Sequence, residues 1–261
     1  MNIFTNLSWR FVTVWQRNLI VYRKIWQVNF LVPLLEPTFY ILAFGIGFHG
    51  LINDVRYAGQ PLTYIQFMAP ALIATSVMYN SFFETTYASF VRMQYQKTFD
   101  GMMATPLSLE EIILAEIVWS ATKATAAALI MTVVLGLFGF VTFPQGLLIL
   151  PLAFLGGLAF GAVGIFFTGV TPSIDMFSLP VFLFITPMFL FSGTFFPITG
   201  LPVWAQHAAF FLPLYHLVEL TRFCCLGLAE ANPLVGLAYL FCFALFFLVV
   251  GFWAMRRRLI K

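Results

Sequence analysis

The sequence predicts an all-α polytopic membrane protein with six transmembrane helices, an N-terminal amphipathic interfacial helix and short re-entrant helices before the last span. Three observations carry that expectation. Hydrophobic residues make up 61% of the 261-residue chain and charged residues 9%, with a mean hydropathy of +0.95, far from the composition of a soluble domain. Apolar runs recur at the length of about 20 residues that a helix needs to cross a bilayer core. The flanking Lys and Arg fall on one side: Arg10, Arg17, Arg23 and Lys24 before the first run, Arg92 and Lys97 in the middle loop, and Arg256, Arg257, Arg258 and Lys261 at the end, against Arg56 and Arg222 on the other. By the positive-inside rule both termini and the middle loop are cytoplasmic, and an even number of spans agrees independently.

Residues 1–26 read as the interfacial helix, the alternative being simply the cytosolic flank of the first span. Arg10, Arg17 and Lys24 recur every seven residues and share one helical face, Phe4, Leu7, Phe11, Val14 and Val21 line another, and Trp9, Trp15 and Trp26 suit the headgroup zone. The first span, 28–50, contains Pro33 and Pro37 and ends in Gly45, Gly47 and Gly50; a polar loop, 52–61, leads to the second, 63–87. The longest central connection, 89–111, carries Arg92, Lys97, Asp100, Glu110 and Glu111, and Ser108 with Glu111 three residues on fits a capping box opening the third span, 110–139. A tight turn at 143–146 precedes the fourth span, 147–169, whose Gly157 and Gly161 form a small-xxx-small face that admits another helix closely. After the short connection 171–175, the fifth span, 177–195, is interrupted by Pro180 and Pro187. Residues 196–222, with Pro197, Pro202 and Pro213, hold helical pieces too short to cross a bilayer and read as re-entrant. The last span is 234–254. The whole chain, 1–261, reads as one membrane domain.

Composition also excludes. A net charge of +3 orients a membrane chain and does not point to nucleic acid. Cys224, Cys225 and Cys242 have neither metal spacing nor a disulfide framework. The first apolar run starts too late for a cleavable signal peptide.

Four charges lie in or near spans: Glu36, Glu84, Glu116 and Lys123. Ionisable groups in lipid cost about 2.5–3.5 kcal/mol at a span centre, so they turn toward protein or water. Glu116 and Lys123, seven apart, share a face; Glu84 lies at similar depth, so Glu84–Lys123 and Glu116–Lys123 pairs both fit, as a substrate or proton path or as a structural tie. Glu36 sits between two prolines, where Pro37 cannot donate to the Pro33 carbonyl, and either lines a cavity or caps freed backbone. His207, His216 and Glu219 suggest an outer zinc site only weakly, since nothing ties His207 to the pair; the alternative is interfacial polar residues. No G-x-x-x-x-G-K-[ST] phosphate loop and no nucleophile in a recognisable setting occurs. If the protein works with ATP, another chain binds the nucleotide and its Mg, and this chain binds no cofactor.

Four stretches, SWRFVTVWQRNLIVYRK, LEPTFYILAFGIGFHG, ASFVRMQYQKTFDGMMATPLSLEEIILAEIVWSATKA and LFSGTFFPITGLPVWAQHAAFFLPLYHLVELTR, carry a resemblance over nearly the whole chain. It resembles the type 2 ABC exporter permeases, and within them the nodulation-factor (lipo-oligosaccharide) exporter membrane subunits. The resemblance implies a six-span half-transporter, not itself an enzyme, in the bacterial inner membrane. It implies pairing with a second copy, docking of two copies of a separate ATPase subunit, and export of a lipo-oligosaccharide or another amphipathic, lipid-linked molecule. It also implies a coupling helix in the loop 95–108, placing Tyr95, Gln96, Lys97, Thr98, Phe99, Asp100, Gly101, Met102, Thr105 and Pro106 against the ATPase, and a smaller second contact at Pro172, Ser173 and Asp175. A stiff helix transmits the rigid-body closure of nucleotide subunits; Asp100 and Gly101 would break or cap it, and Lys97 and Asp100 either pair with the ATPase surface or belong to a solvated loop face. Two other classes compete: an ion-coupled carrier with Glu36, Glu84 and Lys123 as relay, and an integral-membrane glycolipid or acyl transferase, which needs a catalytic cluster that only His216 and Glu219 approach.

Overall fold

The computed structural model describes residues 7–47 and 55–260; Phe4 in the lead, Gly50 at the end of the first expected span, the loop start at 52–54 and Lys261 lie outside the described residues. In chain order the elements are α1 (Phe11–Lys24), α2 (Trp26–Gly47), a two-stranded hairpin of β1 (Val55–Tyr57) and β2 (Gln60–Leu62), α3 (Tyr64–Phe83), α4 (Thr98–Met103), α5 (Leu109–Leu137), α6 (Gln145–Val170), α7 (Ile174–Phe191), α8 (Val203–Phe210), α9 (Pro213–Leu226) and α10 (Pro233–Leu259). The hairpin is antiparallel, with Val55 opposite Leu62.

Four helices, α5, α6, α7 and α10, are each long and apolar enough to cross a membrane, and up to six spans result if each of two bent pairs counts as one. The pairs are α1 with α2, bent by 74°, and α8 with α9, bent by 86°. The chain is therefore an all-α, multi-pass membrane protein. Helix α3 is more polar than these four, yet its 20 residues span about 30 Å. It is buried without interruption from Phe67 to Met78, so protein surrounds that stretch, and the buried Ser76 hydroxyl accepts from Asn80 Nδ2 at 3.1 Å.

Helix α6 is the central element, packed on α3, α5 and α10. Its glycines make this possible. A Cβ at Gly157 would meet the Ala121 Cα of α5 at 2.6 Å, and one at Gly161 would run into the Ser120 hydroxyl. Thr168 donates to the Thr85 carbonyl at 2.7 Å, tying α6 to the end of α3.

Several boundaries differ from the sequence reading. Beyond Phe83 the second helix does not stop at 87 but continues in π-helical turns, Glu84–Ala88 and Val91–Tyr95; the Thr85 and Thr86 hydroxyls bond back to the carbonyls of Ser81 and Phe82 at 2.9 and 2.6 Å, serving acceptors that a wider turn would strand. In α7, Pro180 and Pro187 frame a π-helical turn, Val181–Ile185, the local adjustment to two missing N–H donors. The helix ends at Phe191 rather than 195 because Gly193 turns the chain at φ +74°. The bent pair α8 and α9 runs on to Leu226, past the expected end at 222, and Gly227 closes it in the left-handed region. Helix α10 reaches Leu259, carrying Arg256, Arg257 and Arg258 in its last turn, where cations complement the helix dipole.

The connections sort to two ends. At one, Arg10 donates to the Pro106 carbonyl at 2.7 Å, Arg256 approaches Glu110 at 3.8 Å, and Arg258 binds the Thr168 and Thr171 carbonyls. The N-terminal lead, the middle loop, the 171–175 turn and the C-terminal turn thus lie together. At the other end the Thr142 amide donates to the Cys225 carbonyl at 3.0 Å, and the hairpin's Tyr57 reaches Glu219 at 2.8 Å.

Candidate functional site

A cavity of about 750 Å3 opens between α1, α2, α3 and α5. Its wall mixes apolar and polar groups: Val21, Val32, Phe83 and Trp119 beside Asn18, Asn29, Asn80 and Gln96. Glu36, Glu84 and Lys123 line it; Glu116 lies behind the wall, fully buried.

Helical spacing places the charges. Lys123 on α5 reaches Glu84 at 2.9 Å, so of the two pairings open in the sequence the structure makes Glu84–Lys123. Glu116 instead meets Arg92, whose Nε lies 3.1 Å from Glu116 Oε2, while Arg92 Nη1 binds Glu84 Oε1 at 3.0 Å. Arg92 is the hub: one planar fork joins both carboxylates, as guanidinium geometry favours. Ser89 donates to Glu116, and Trp119 Nε1 donates to Glu84 at 3.2 Å. Two cations and two carboxylates close a neutral cluster, the condition under which buried charge is tolerated. Glu36 stands apart on α2, which runs unbroken through both of its prolines, and it caps no backbone group among the described residues.

Helix α1 is bolted to this cluster. Its buried residues are Val14 and Asn18. Asn18 donates to Glu116 Oε1 at 3.1 Å, Trp15 Nε1 donates to Thr122 at 3.1 Å, and the Tyr22 and Trp119 rings meet edge to face at 5.5 Å. Val21, expected on the apolar face, is half exposed on the cavity, because the face turned to α5 is chosen by the buried carboxylate. Below it, the Ser8 amide donates to Glu111 at 3.1 Å, and Glu111 also completes the capping box with Ser108.

From the cluster the chain leads into the 95–108 loop. Tyr95 ends the second π turn, exposed; Gln96 lines the cavity; Lys97 takes a left-handed conformation, φ +53°, and swings the chain into α4. Asp100 and Gly101 neither break nor cap α4, which runs through both from Thr98 to Met103; the Ala104 amide closes on the Asp100 carbonyl at 3.1 Å. Phe99 is fully buried among Phe90, Met93, Ile112, Ile113 and Phe177. Met102 packs at the edge of that cluster, the Thr105 hydroxyl bonds the Met102 carbonyl, and Pro106 receives Arg10. Pro172, Ser173 and Asp175 are exposed on the second turn, and Phe177 at its end meets Phe90 at 5.3 Å. Both exposed turns therefore rest on one aromatic core.

The His216 and Glu219 side chains each have protein partners. His216 Nε2 is 2.7 Å from the Phe210 carbonyl and its ring stacks on Tyr239 at 4.1 Å, while Glu219 binds Tyr57 and Arg222. Both side chains are thus held by protein partners. Arg222, read only as a stray outer charge, is 1% exposed. It binds Glu219 at 3.1 Å and the Phe67 carbonyl at 3.2 Å, donates to the Gly193 carbonyl at 2.5 Å, and stacks 3.9 Å over the Phe67 ring. Burial, then the Glu219 carboxylate, pushes the Tyr57 phenol well above its ordinary value.

The family model described as ABC-2 type transporter matches residues 10–226. A nodulation protein J of Rhizobium leguminosarum bv. trifolii is 37% identical over 258 residues, covering 98% of this chain and 95% of that protein. The nodulation protein J of Sinorhizobium fredii is 35% identical, covering 97% and 95%. The inner membrane transport permease YadH of Escherichia coli is 23% identical over 225 residues, covering 85% of each.

Proposed function

The chain belongs to the ABC-2 type transporter family and is an exporter permease of an ABC transporter system with an ATPase partner, and on that premise we propose how it works. Two copies of the permease pair in the bacterial inner membrane with both termini cytoplasmic, and two copies of a separate ATPase chain, which bind ATP and Mg, dock beneath them. The cargo is a lipo-oligosaccharide or another amphipathic, lipid-linked molecule that enters from the inner leaflet. Similarity to the nodulation proteins over nearly the whole chain supports this cargo class, as does a cavity wall that alternates apolar side chains with amides and charges.

The observation that carries the mechanism is the continuity from α4 to the cavity. Helix α4 grips the bundle through Phe99, and the chain just before it, Val91–Tyr95, holds Arg92 on the cavity wall. A displacement of α4 by the ATPase reaches Arg92 through one stretch of backbone and changes the wall formed by Glu84 and Lys123. The exposed side of the 95–108 loop, Tyr95, Gln96, Lys97, Asp100, Gly101, Thr105 and Pro106, forms the main docking element, and Pro172, Ser173 and Asp175 the smaller one.

The test is purification from the native membrane with the K97E/D100K variant alongside. A stoichiometric, vanadate-sensitive ATPase that accompanies the wild type and is lost from the variant is the expected result. An intact wild type that brings no ATPase with it overturns the coupling scheme.

A further inference from the structure

The three arginines in the last turn of α10 have different fates. Arg256 lies 3.8 Å from Glu110. Arg258 spends Nη1 on the Thr168 and Thr171 carbonyls, at 2.6 and 2.5 Å, and lies 5.1 Å over the Phe90 ring. Arg257 has no acidic partner among the described residues; its guanidinium stands 5.6 Å over the Trp253 ring, on the exposed side of the helix.

Arg257 and Arg258 border a groove of about 470 Å3 between the ends of α6 and α10, within the roughly 300–1,000 Å3 range of small-ligand sites. Its floor is closed where the helices touch: a Cβ at Gly169 would stand 2.8 Å from the Ala254 carbonyl carbon. Its walls are the exposed side chains of Val170 and Trp253. No carboxylate lines it, so Arg257 faces it without an acidic partner, and Arg258, held by two backbone carbonyls, brings its full charge to the rim. Helix α10 is a candidate span whose charged last turn follows its apolar length, which sets the groove at the membrane–water boundary.

We propose that this groove binds a phosphate group presented at the membrane surface, the phosphodiester of an anionic phospholipid. The planar fork of Arg257 matches phosphate oxygens in a bidentate manner, and Arg258 supplies a second fixed charge beside it. Trp253 and Val170 take the glycerol and the first acyl carbons, the amphipathic role tryptophan fills at interfaces. Basic pockets between helices at a membrane face bind lipid headgroups by this combination. The groove also includes Pro172 of the second turn, whose neighbouring Thr171 carbonyl Arg258 already holds, so its occupancy stiffens that turn.

Native mass spectrometry of the full chain, released from detergent with added phosphatidylglycerol or phosphatidylcholine, tests the assignment. The wild type retains phosphatidylglycerol in preference to phosphatidylcholine. R257Q loses about five- to tenfold in retention, the effect of one interfacial arginine. R256Q, whose arginine faces Glu110, retains lipid as the wild type does. A competition arm with inorganic phosphate separates the sources: persistence of bound phosphatidylglycerol assigns a lipid headgroup, and displacement assigns a free-phosphate site of the same chemistry. Equal retention by R257Q and wild type, with matched melting temperatures to establish folding, overturns the proposal, as does equal retention of the two lipids.

Discussion

Lys123 Nζ lies 2.9 Å from Glu84 Oε2, and this contact completes a neutral cluster in which Arg92 already joins Glu84 to Glu116. The four charged groups come from α3's extension and α5, elements that meet only because the second helix continues past Phe83. Charge in the cavity wall is thereby balanced within the wall itself, and Glu36 remains as the carboxylate outside the cluster.

The members of this cluster differ in burial, and their removal should differ accordingly. E84Q leaves Arg92 and Lys123 facing a neutral amide, and breaking a buried pair costs about 3–5 kcal/mol. K123M costs about 1 kcal/mol or less, because Lys123 is 25% exposed and water takes up part of the loss. Thermal unfolding in detergent checks the order; equal shifts for the two variants would contradict it.

Asn18 is the tie between α1 and Glu116. N18A strands a carboxylate oxygen that is fully buried, at about 1–3 kcal/mol, and loosens the lead. Limited proteolysis should cut N18A within residues 8–24 faster than wild type. R17A removes a side chain whose hydrogen bond is to its own neighbour Asn18, and its cleavage rate should stay near that of the wild type.

Two glycines to alanine should move stability in opposite directions. G157A drives a methyl into the Ala121 backbone, and overpacking of this kind costs about 1–3 kcal/mol. Gly101 lies inside α4 with open space around it, where alanine gains about 0.5–1 kcal/mol of helix preference. Melting temperatures of the two variants against wild type read the sign directly.

At the opposite end, R222M should destabilise far more than Y57F. Arg222 serves Glu219 and two backbone carbonyls, and its loss strands a buried carboxylate, about 3–5 kcal/mol. Tyr57 contributes one hydrogen bond to that carboxylate, about 1.5–3 kcal/mol. Denaturation midpoints of the single variants check this, and a Y57F shift as large as that of R222M would refute it.

Much of the architecture was legible because lipid permits few solutions. Apolar length and the one-sided Lys and Arg pattern mark the helices and sort their ends. Ser108 and Glu111 mark the start of α5, and Gly157 and Gly161 mark the face where α6 and α5 touch. What escaped is long-range. Arg92 looked like a loop charge because the run of apolar residues ends near Tyr87, although the helix continues for two π turns; eight residues from Glu84, it lies on the same side only if that continuation is assumed. Asn18 carries no mark in the sequence, because nothing local announces a buried carboxylate 98 positions away. Arg222 and Tyr57 are separated by more than half the chain, and only the return of α9 toward the hairpin unites them. The glutamates and Lys123 were recognisable because charge in an apolar run is conspicuous; their partners were not, because amides and indoles are ordinary there.

The shared seat of the two exposed turns bears on how such permeases diversify. Phe99 anchors the first turn and Phe177 the second, and both share one buried cluster in which Phe90 meets Phe177. A chimera that imports a relative's 95–108 loop alone inherits a foreign plug for a native socket. Grafting should succeed only when Phe90 and the 171–177 turn travel with it, which makes the recognition surface heritable as a block rather than residue by residue.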